Sequence, residues 1–274
     1  MKSPPAKFQK QKAHPPYDMI GSIAVLEIPK GLGGEKKIAA AILKNHPNIK
    51  TVAKKAGATG GKYRIRKIKF IAGEKTSKTI CRESGCNFLV DLNKAYYTPR
   101  FGSERLRIAK LVEKGENILV PFAGIGPYPI VIEKNAINKP AKIIAIELNP
   151  NAFSMMTQNI AKNKCQKIIA IKGDAKKAMA RKSVAGWAGR IIMPHPTQAL
   201  KFLPSALRCA KRGAIIHLYA FDEVGAGGRN ILSEARKIAK KKNAKLTLAS
   251  WRVARPFSAK IEQIVLDLKV QNKA

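Results

Sequence analysis

The sequence predicts an α/β protein: a mostly parallel, doubly wound sheet with one antiparallel strand, preceded by a small α+β module. Three observations carry this. From residue 118 onward, short β-branched apolar runs alternate with segments of helical spacing, the pattern of strands buried on both faces and covered by helices. The first of those runs, Ile118–Val120, leads into Phe122-Ala123-Gly124-Ile125-Gly126, where two glycines sit at the strand-to-helix turn. Finally, the last two runs, Lys245–Val253 and Ile261–Leu268, have no helix between them, so they close as a hairpin and reverse one strand.

Taken in order, residues 1–15 are basic and proline-bearing without a hydrophobic period, and read as a flexible arm. Ile20–Ile28 has the content of a strand and ends at Pro29; Gly31 to Gly34 reads as a turn, and Glu35–Lys44 has helical spacing. Strands are expected at Ile49–Ala53, Tyr63–Ile71 and Asn87–Leu92, with Gly73–Ser84 as a polar connection. A small α+β domain over 16–95 follows from that order. Residues 96–274 form the larger domain. It opens with a helix over Arg105–Val112 for which Ser103 is the expected cap. Strands then fall at Ile118–Val120, Lys142–Ile146, Lys167–Ile171, Gly189–Met193 and Ala214–Phe221, ahead of the closing pair. Helices fall at Tyr128–Lys134, Asn151–Asn163, Ala175–Arg181, Thr197–Ala210 and Gly228–Lys241.

The 274 residues carry 53 Lys and Arg against 17 Asp and Glu, a formal charge of +36. Solubility needs far less, and a polyanionic partner, nucleic acid first, accounts for it; dispersed pairs such as Lys54-Lys55 and Lys176-Lys177 also fit a merely solvated surface. Cys81, Cys86, Cys165 and Cys209 form no CxxC pair and read as reduced thiols of a cytoplasmic protein without a metal site. Neither a membrane span nor a signal-peptide core is legible, and a monomer is expected.

Ligands of a doubly wound sheet sit beyond the carboxyl ends of its strands. Three features fall on consecutive ends: the turn carrying Phe122, Gly124 and Gly126; Glu147, about 20 residues on, suited to ribose hydroxyls; and Asp174 with the amide of Ala175, suited to an adenine edge. Each acid also reads as a helix N-terminal residue facing the macrodipole. Three together in an acid-poor chain point to a nucleoside cofactor. The single G-x-G followed by Pro127, with the terminal hairpin, favours S-adenosylmethionine over a dinucleotide. Just upstream, Tyr96, Tyr97, Arg100, Glu104 and Arg105 crowd ten positions. Aromatic and guanidinium planes suit a splayed base, arginines suit phosphate, and a carboxylate suits a guanine N1–H as a methyl group arrives. Glu104 equally reads as a first-turn helix acid.

YYTPRFGSER, followed by FAGIGP, IELNP, NIAKNK, KGDA and RIIMPHPTQALKFL, resembles the archaeal and eukaryotic tRNA guanine-37 N1-methyltransferase family. PPYDMIGSIAVLEIP, GGKYRIR, IAGE and ESGCNFLVDL resemble that family's small domain. The resemblance spans roughly 15–270 and implies a class I methyltransferase domain with tRNA as partner and no metal. It implies Glu104 as general base, Arg64 reading the guanine carbonyl, Tyr96 holding the flipped base, and Arg100 supporting that pocket or a phosphate. Arg105, Glu147, Leu148, Asp174 and Ala175 would touch the cofactor.

Two departures bear on the site. Pro121 stands where relatives carry an acid, and Pro194-His195-Pro196 replaces an N-x-P motif, so Pro194 offers a carbonyl but no side-chain amide. His195 reads either as a substrate contact or as a structural residue. Many relatives also have an extra N-terminal domain for the tRNA body, where a short basic arm is found here. The rivals are the sister aminocarboxypropyl transferase of wybutosine synthesis, a non-catalytic RNA-binding relative and, more remotely, a dehydrogenase.

Overall fold

The structure, a computed structural model, describes residues 15–28, 33–57, 60, 61, 63, 65 and 67–273. The arm up to residue 14, Gly31, Leu32 and Arg64 lie outside the described residues.

A four-stranded sheet comes first, in the order β1 (Tyr17–Ile20), β2 (Ile23–Leu26), β3 (Thr51–Lys55), β4 (Ile68–Gly73), with α1 (Glu35–Asn45) crossing between β2 and β3. Ala24, Leu26, Ala39, Ile42 and Val52 close its core against α1. The expected single strand over Ile20–Ile28 is instead a hairpin. Gly21 takes φ +56, and a Cβ there would collide with Thr79 and the Ile80 carbonyl, so the turn presses against the next strand pair. That pair, β5 (Lys78–Glu83) and β6 (Cys86–Asp91), corrects the reading of Gly73–Ser84 as a connection. Thr79 and Cys81 are buried between exposed neighbours, and Ser84 and Gly85 both have positive φ, as a tight two-residue hairpin turn requires.

Asparagine side chains lock this hairpin to the larger domain. From α4 (Pro150–Lys162), Asn159 accepts from Leu89 N at 2.7 Å and donates to the Leu89 and Ile125 carbonyls at 3.1 and 3.0 Å. One turn on, Asn163 accepts from Asn87 N and donates to its carbonyl at 2.8 and 2.7 Å. These amides satisfy the hairpin edge as another strand would. Asn159→Ala strands a buried N–H and two carbonyls and is expected to cost about 3 kcal/mol, read as a lower urea midpoint at unchanged m.

The seven-stranded sheet runs β12 (Ala244–Pro256), β13 (Ile261–Lys273), β11 (Ala210–Glu223), β10 (Ala188–Met193), β7 (Asn117–Pro121), β8 (Lys142–Glu147), β9 (Ile168–Lys172). All pairings are parallel except those of β13, which opposes both β11 and β12 as the helix-free connection predicts. The chain leaves β7 toward β8 and β9, then returns to β10 on β7's other side, and the carboxyl ends beside β7 are therefore the switch point. One face is covered by α2 (Gly102–Lys110), α3 (Pro127–Asn135) and α4, through Ile108, Val120, Ile132, Met156 and Tyr219. α5 (Ala175–Met179), α6 (Ala199–Cys209) and α7 (Arg229–Lys240) cover the other. Ser103 is not a cap: α2 begins at Gly102 behind a 3-10 turn over Pro99–Phe101, and Thr98 Oγ1 caps that turn by accepting from Arg100 N.

Candidate active site

The turn after β7 is held in an uncommon backbone conformation. Phe122, Gly124 and Gly126 have φ of +61, +60 and +89. A phenylalanine in that region carries strain of about 1–2 kcal/mol, offset by packing on Phe202 and His195 at ring separations of 4.8 and 5.1 Å. At Gly126 a Cβ would stand 3.0 Å from Met156 and 3.1 Å from Ile130, so only glycine seats α3 on α4 there. At Gly124 the nearest atom to an added Cβ is the Tyr96 carbonyl at 3.9 Å, leaving a cradle where a ligand can approach main chain.

Glu147, the last residue of β8, closes the cradle. Its two oxygens accept from Gly124 N and Asn149 N, both at 2.7 Å. Burial pushes its carboxyl above the ordinary value, opposed by backbone N–H groups of Asn149, Gly124 and Leu148. On the next tip Asp174 caps α5 by accepting from Lys177 N at 3.0 Å, with Ala175 buried behind it. The helix-terminal reading of Asp174 therefore holds whatever else it binds. The cradle beside Gly124, with acids on the two adjacent tips, fits the ribose and base of a nucleoside cofactor.

Glu104 lies on the same edge. In ladder register Pro121 of β7 is level with Ile146 of β8, and Met193 of β10 with Leu218 of β11; Tyr219 is one step beyond. The Tyr219 hydroxyl donates to Glu104 Oε1 at 2.7 Å. The Tyr219 ring meets that of Tyr128, two residues past Gly126, edge-on at 5.9 Å, which links Glu104 to the glycine turn. Glu104 is buried and accepts twice more, from Arg107 Nε at 2.9 Å and Nη2 at 2.8 Å, while the half-exposed Arg252 stands 3.7 Å off.

Behind Glu104 runs a buried chain of polar residues. Arg107 also donates to Asp267 at 2.7 and 3.2 Å, Asp267 meets His217 Nδ1 at 2.6 Å, His217 Nε2 meets Arg190 at 2.8 Å, and Arg190 donates to Glu116 at 2.8 Å. Arginine can only donate, so His217 Nε2 is an acceptor and its single proton sits on Nδ1, facing Asp267. The ring is neutral, consistent with burial lowering its pKa against the opposing pull of Asp267. Three carboxylates then face two guanidiniums along this chain.

The remaining candidates disperse. Tyr96 is half-exposed at the rim of the cradle, and Leu148 lies between Glu147 and the cap Asn149. Arg100 donates to Asp18 of β1 at 2.6 Å, tying the pre-helix segment to the small sheet. The buried guanidinium of Arg105 pairs with Glu83 at 2.5 Å and the Thr98 carbonyl at 3.0 Å, against the rings of Tyr97 and Tyr128. Pro194 follows the end of β10, and His195 packs on Phe122 while its carbonyl accepts from Gln198 and Ala199 at the start of α6. A cavity of about 440 Å³ over α7, lined by Arg229, Leu232, Ser233, Arg236, Lys237 and Lys240, contains none of these residues.

Residues 79–247 match the TRM5/TYW2 methyltransferase domain, and residues 9–76 match the TYW2 N-terminal domain. The chain belongs to the TRM5/TYW2 methyltransferase family. It is 35% identical over 255 residues to the tRNA (guanine(37)-N(1))-methyltransferase Trm5b of Pyrococcus abyssi, covering 93% of this chain and 74% of the relative. A crystal structure of wild-type Trm5b from that organism superposes with a TM-score of 0.84, covering 99% of this chain and 82% of that one. The aTrm5 complex with tRNALeu (30% identity, TM-score 0.79) is covered over 72% of its chain, against 93% of this one. P. horikoshii TYW2 in complex with MeSAdo (25% identity, TM-score 0.79) is covered over 90%, again against 93% here. The fold is the class I methyltransferase fold of this family, its cofactor is S-adenosylmethionine, and the small sheet is its N-terminal domain.

Sequence reasoning missed Arg107, Tyr219, Asp267, His217, Arg190 and Glu116. A signal existed: His217 and Asp267 interrupt apolar strands, where an unpaired polar group is costly. Burial alone would raise the Asp267 carboxyl, but His217 and Arg107 hold it well below the usual carboxylate range. A depressed carboxylate stabilises the fold above its unfolded pKa, about 3.9, and loses that contribution as pH falls toward the folded value. Asp267→Asn is therefore expected to destabilise the TRM5/TYW2 fold by about 3 kcal/mol at pH 7. The gap to the parent should narrow below about pH 4, as urea titrations at the two pH values will show.

Proposed function

We propose that this chain methylates N1 of the guanosine immediately 3′ of the tRNA anticodon, with S-adenosylmethionine as donor and Glu104 as the proton acceptor. The observation that carries the reading is the path from Glu104 through the Tyr219 hydroxyl and the Tyr219–Tyr128 ring contact to the glycine turn beside Glu147. Bound S-adenosylmethionine supplies a methyl carbon activated by its sulfonium. The protein's own tasks are then to orient the nucleoside, hold an extruded guanine and remove one proton. Gly124, Glu147, Leu148, Asp174 and Ala175 hold the nucleoside, with Phe122, Gly126 and the Pro194 carbonyl shaping its surroundings. Tyr96 stacks on the guanine, Arg64 reads its carbonyl, and Arg100 serves the same pocket or a phosphate once it exchanges its Asp18 partner.

The buried chain behind Glu104 fixes its position: Arg107 and the Tyr219 hydroxyl hold its oxygens, and Arg252 stands 3.7 Å away. Asp267 shares Arg107, so the guanidinium does not neutralise Glu104 alone. Transfer of the aminocarboxypropyl arm of the same donor is the second reading, favoured by Pro194 where the asparagine of the N-x-P motif is expected.

On this reading the arm covers 1–15, a guanine-recognising domain 16–95 and the methyltransferase domain 96–274, with the β5–β6 hairpin joining the last two. We place the protein in the cytoplasm as a monomer; among the described residues no helix is long and apolar enough to cross a membrane. Incubation with labelled S-adenosylmethionine and an unmodified tRNA transcript, followed by nucleoside mass analysis, tests the function. The expected product is 1-methylguanosine at position 37. An aminocarboxypropyl adduct supports the second reading, and an unmodified transcript contradicts both.

A further inference from the structure

Glu104 has one acceptor site to spare. An ionised carboxylate offers about four lone-pair sites. The Tyr219 hydroxyl and Arg107 Nη2 take those on Oε1, at 2.7 and 2.8 Å, and Arg107 Nε takes one on Oε2 at 2.9 Å. The other group at Oε2 is Arg252 of β12, whose Nη1 stands 3.7 Å away, too far for a hydrogen bond. Register explains its presence. Arg252 opposes Val265 of β13, which opposes Tyr219 of β11, so the three share the face that α2 covers. Tyr219 is 1% exposed and the Arg107 side chain 19%, whereas that of Arg252 is 50% exposed. The solvent side of the carboxylate is therefore the Arg252 side, and a guanine approaching Glu104 from outside meets this guanidinium first.

We propose that Arg252 is a positioning residue that exchanges partners as substrate enters. In the ligand-free protein it covers the open site on Glu104; when guanine N1–H takes that site, the guanidinium turns to the phosphate of the same nucleotide. This rests on the methyl-transfer reading above and adds how the base is held until the guanine arrives. A neutral N1–H donor does not replace the charge of a guanidinium, so the displaced cation needs an anion, and a phosphate matches its planar fork. The exchange has a chemical consequence. A cation beside a carboxylate favours the ionised form, and its departure makes the same carboxylate a better proton acceptor. The other groups around Glu104 stay as they are. Arg107 is anchored by Asp267 at 2.7 and 3.2 Å, and His217 behind Asp267 is neutral. Burial raises the Tyr219 and Tyr128 phenols, which remain protonated. Arg255, over the Phe101 ring, donates to Gln263 at 3.0 Å. Arg252 is thus the charge at this carboxylate that is free to move.

The test is single-turnover methyl transfer to an unmodified tRNA transcript across pH, with the full chain in excess and varied from below to above half-saturation. Below half-saturation the profile reports the free protein, and at saturation the complex. For Arg252→Gln the acidic limb below half-saturation is expected about one pH unit above the parent's, whereas the limbs at saturation coincide. The half-saturating concentration should rise about tenfold, as loss of one charged hydrogen bond implies. Arg252→Lys, which keeps the charge, should return the limb to the parent's position. Unchanged S-adenosylmethionine affinity in both variants shows that the fold is intact. Limbs unmoved in both regimes, limbs displaced equally in both, or an unchanged half-saturating concentration would overturn the proposal. If the parent transfers no methyl group, the proposed function falls, and carbon-13 NMR titration of the Glu104 carboxyl in ligand-free protein decides instead. A midpoint about one pH unit higher in Arg252→Gln then supports the proposal, and equal midpoints overturn it.

Discussion

Glu104→Gln is expected to leave S-adenosylmethionine affinity near that of the parent and to slow single-turnover methyl transfer at neutral pH by about 100-fold or more. Glutamine keeps the shape and one accepting oxygen for Tyr219 or Arg107, but it cannot take a proton. Arg107 remains anchored by Asp267, so the buried chain is not dismantled. Without an internal acceptor the guanine must lose its N1 proton to solvent. The variant's rate should therefore climb steadily with pH while the parent's is flatter. An unchanged rate, or a parallel pH dependence in the two proteins, removes Glu104 from the chemistry. A lost cofactor affinity would mean that the substitution disturbs the glycine turn through Tyr219 and Tyr128.

Glu147→Ala should weaken S-adenosylmethionine binding by about 100-fold, or about 3 kcal/mol. Two losses combine. The proposed contacts to the ribose hydroxyls disappear, and Gly124 N–H and Asn149 N–H lose the carboxylate that fixes the cradle. Burial raises this carboxyl, so ionised Glu147 is itself a destabilising feature of the ligand-free fold, and its contribution to stability falls as pH rises through its folded pKa. Glu147→Ala is thus expected to bind poorly without a matching loss in urea midpoint at pH 8. Calorimetric titration with cofactor and a denaturation curve on the same sample separate the two effects. Normal binding would show that the nucleoside lies elsewhere.

The parallel sheet was legible because its central strands are buried on both faces and read as unbroken apolar runs, from Ile118–Val120 to Ile191–Met193. The small sheet was harder. Gly21 breaks what looks like one strand, and in β5 the buried Thr79 and Cys81 alternate with an exposed Ile80, so the polar–apolar pattern is blurred. Around the site, features carried by the main chain were readable: the positive-φ turn and the acids of adjacent tips depend on local sequence. Side-chain partnerships were not. Arg107 meets Asp267 160 residues away and Asn163 meets Asn87 across 76, distances over which no periodicity speaks. Arg105 is a further case: its ion pair with Glu83 crosses 22 residues, because the β5–β6 hairpin folds back beneath α2.

The most direct measurement is a crystal structure of this chain with S-adenosylhomocysteine and an unmodified anticodon stem-loop. The account predicts the ribose against Glu147, the adenine beside Asp174 and Ala175, and guanine N1 within about 3 Å of a Glu104 oxygen. A nucleoside bound away from the tips of β7, β8 and β9 would contradict it. So would a target guanine whose N1 faces another residue while Arg107 and Tyr219 still enclose Glu104.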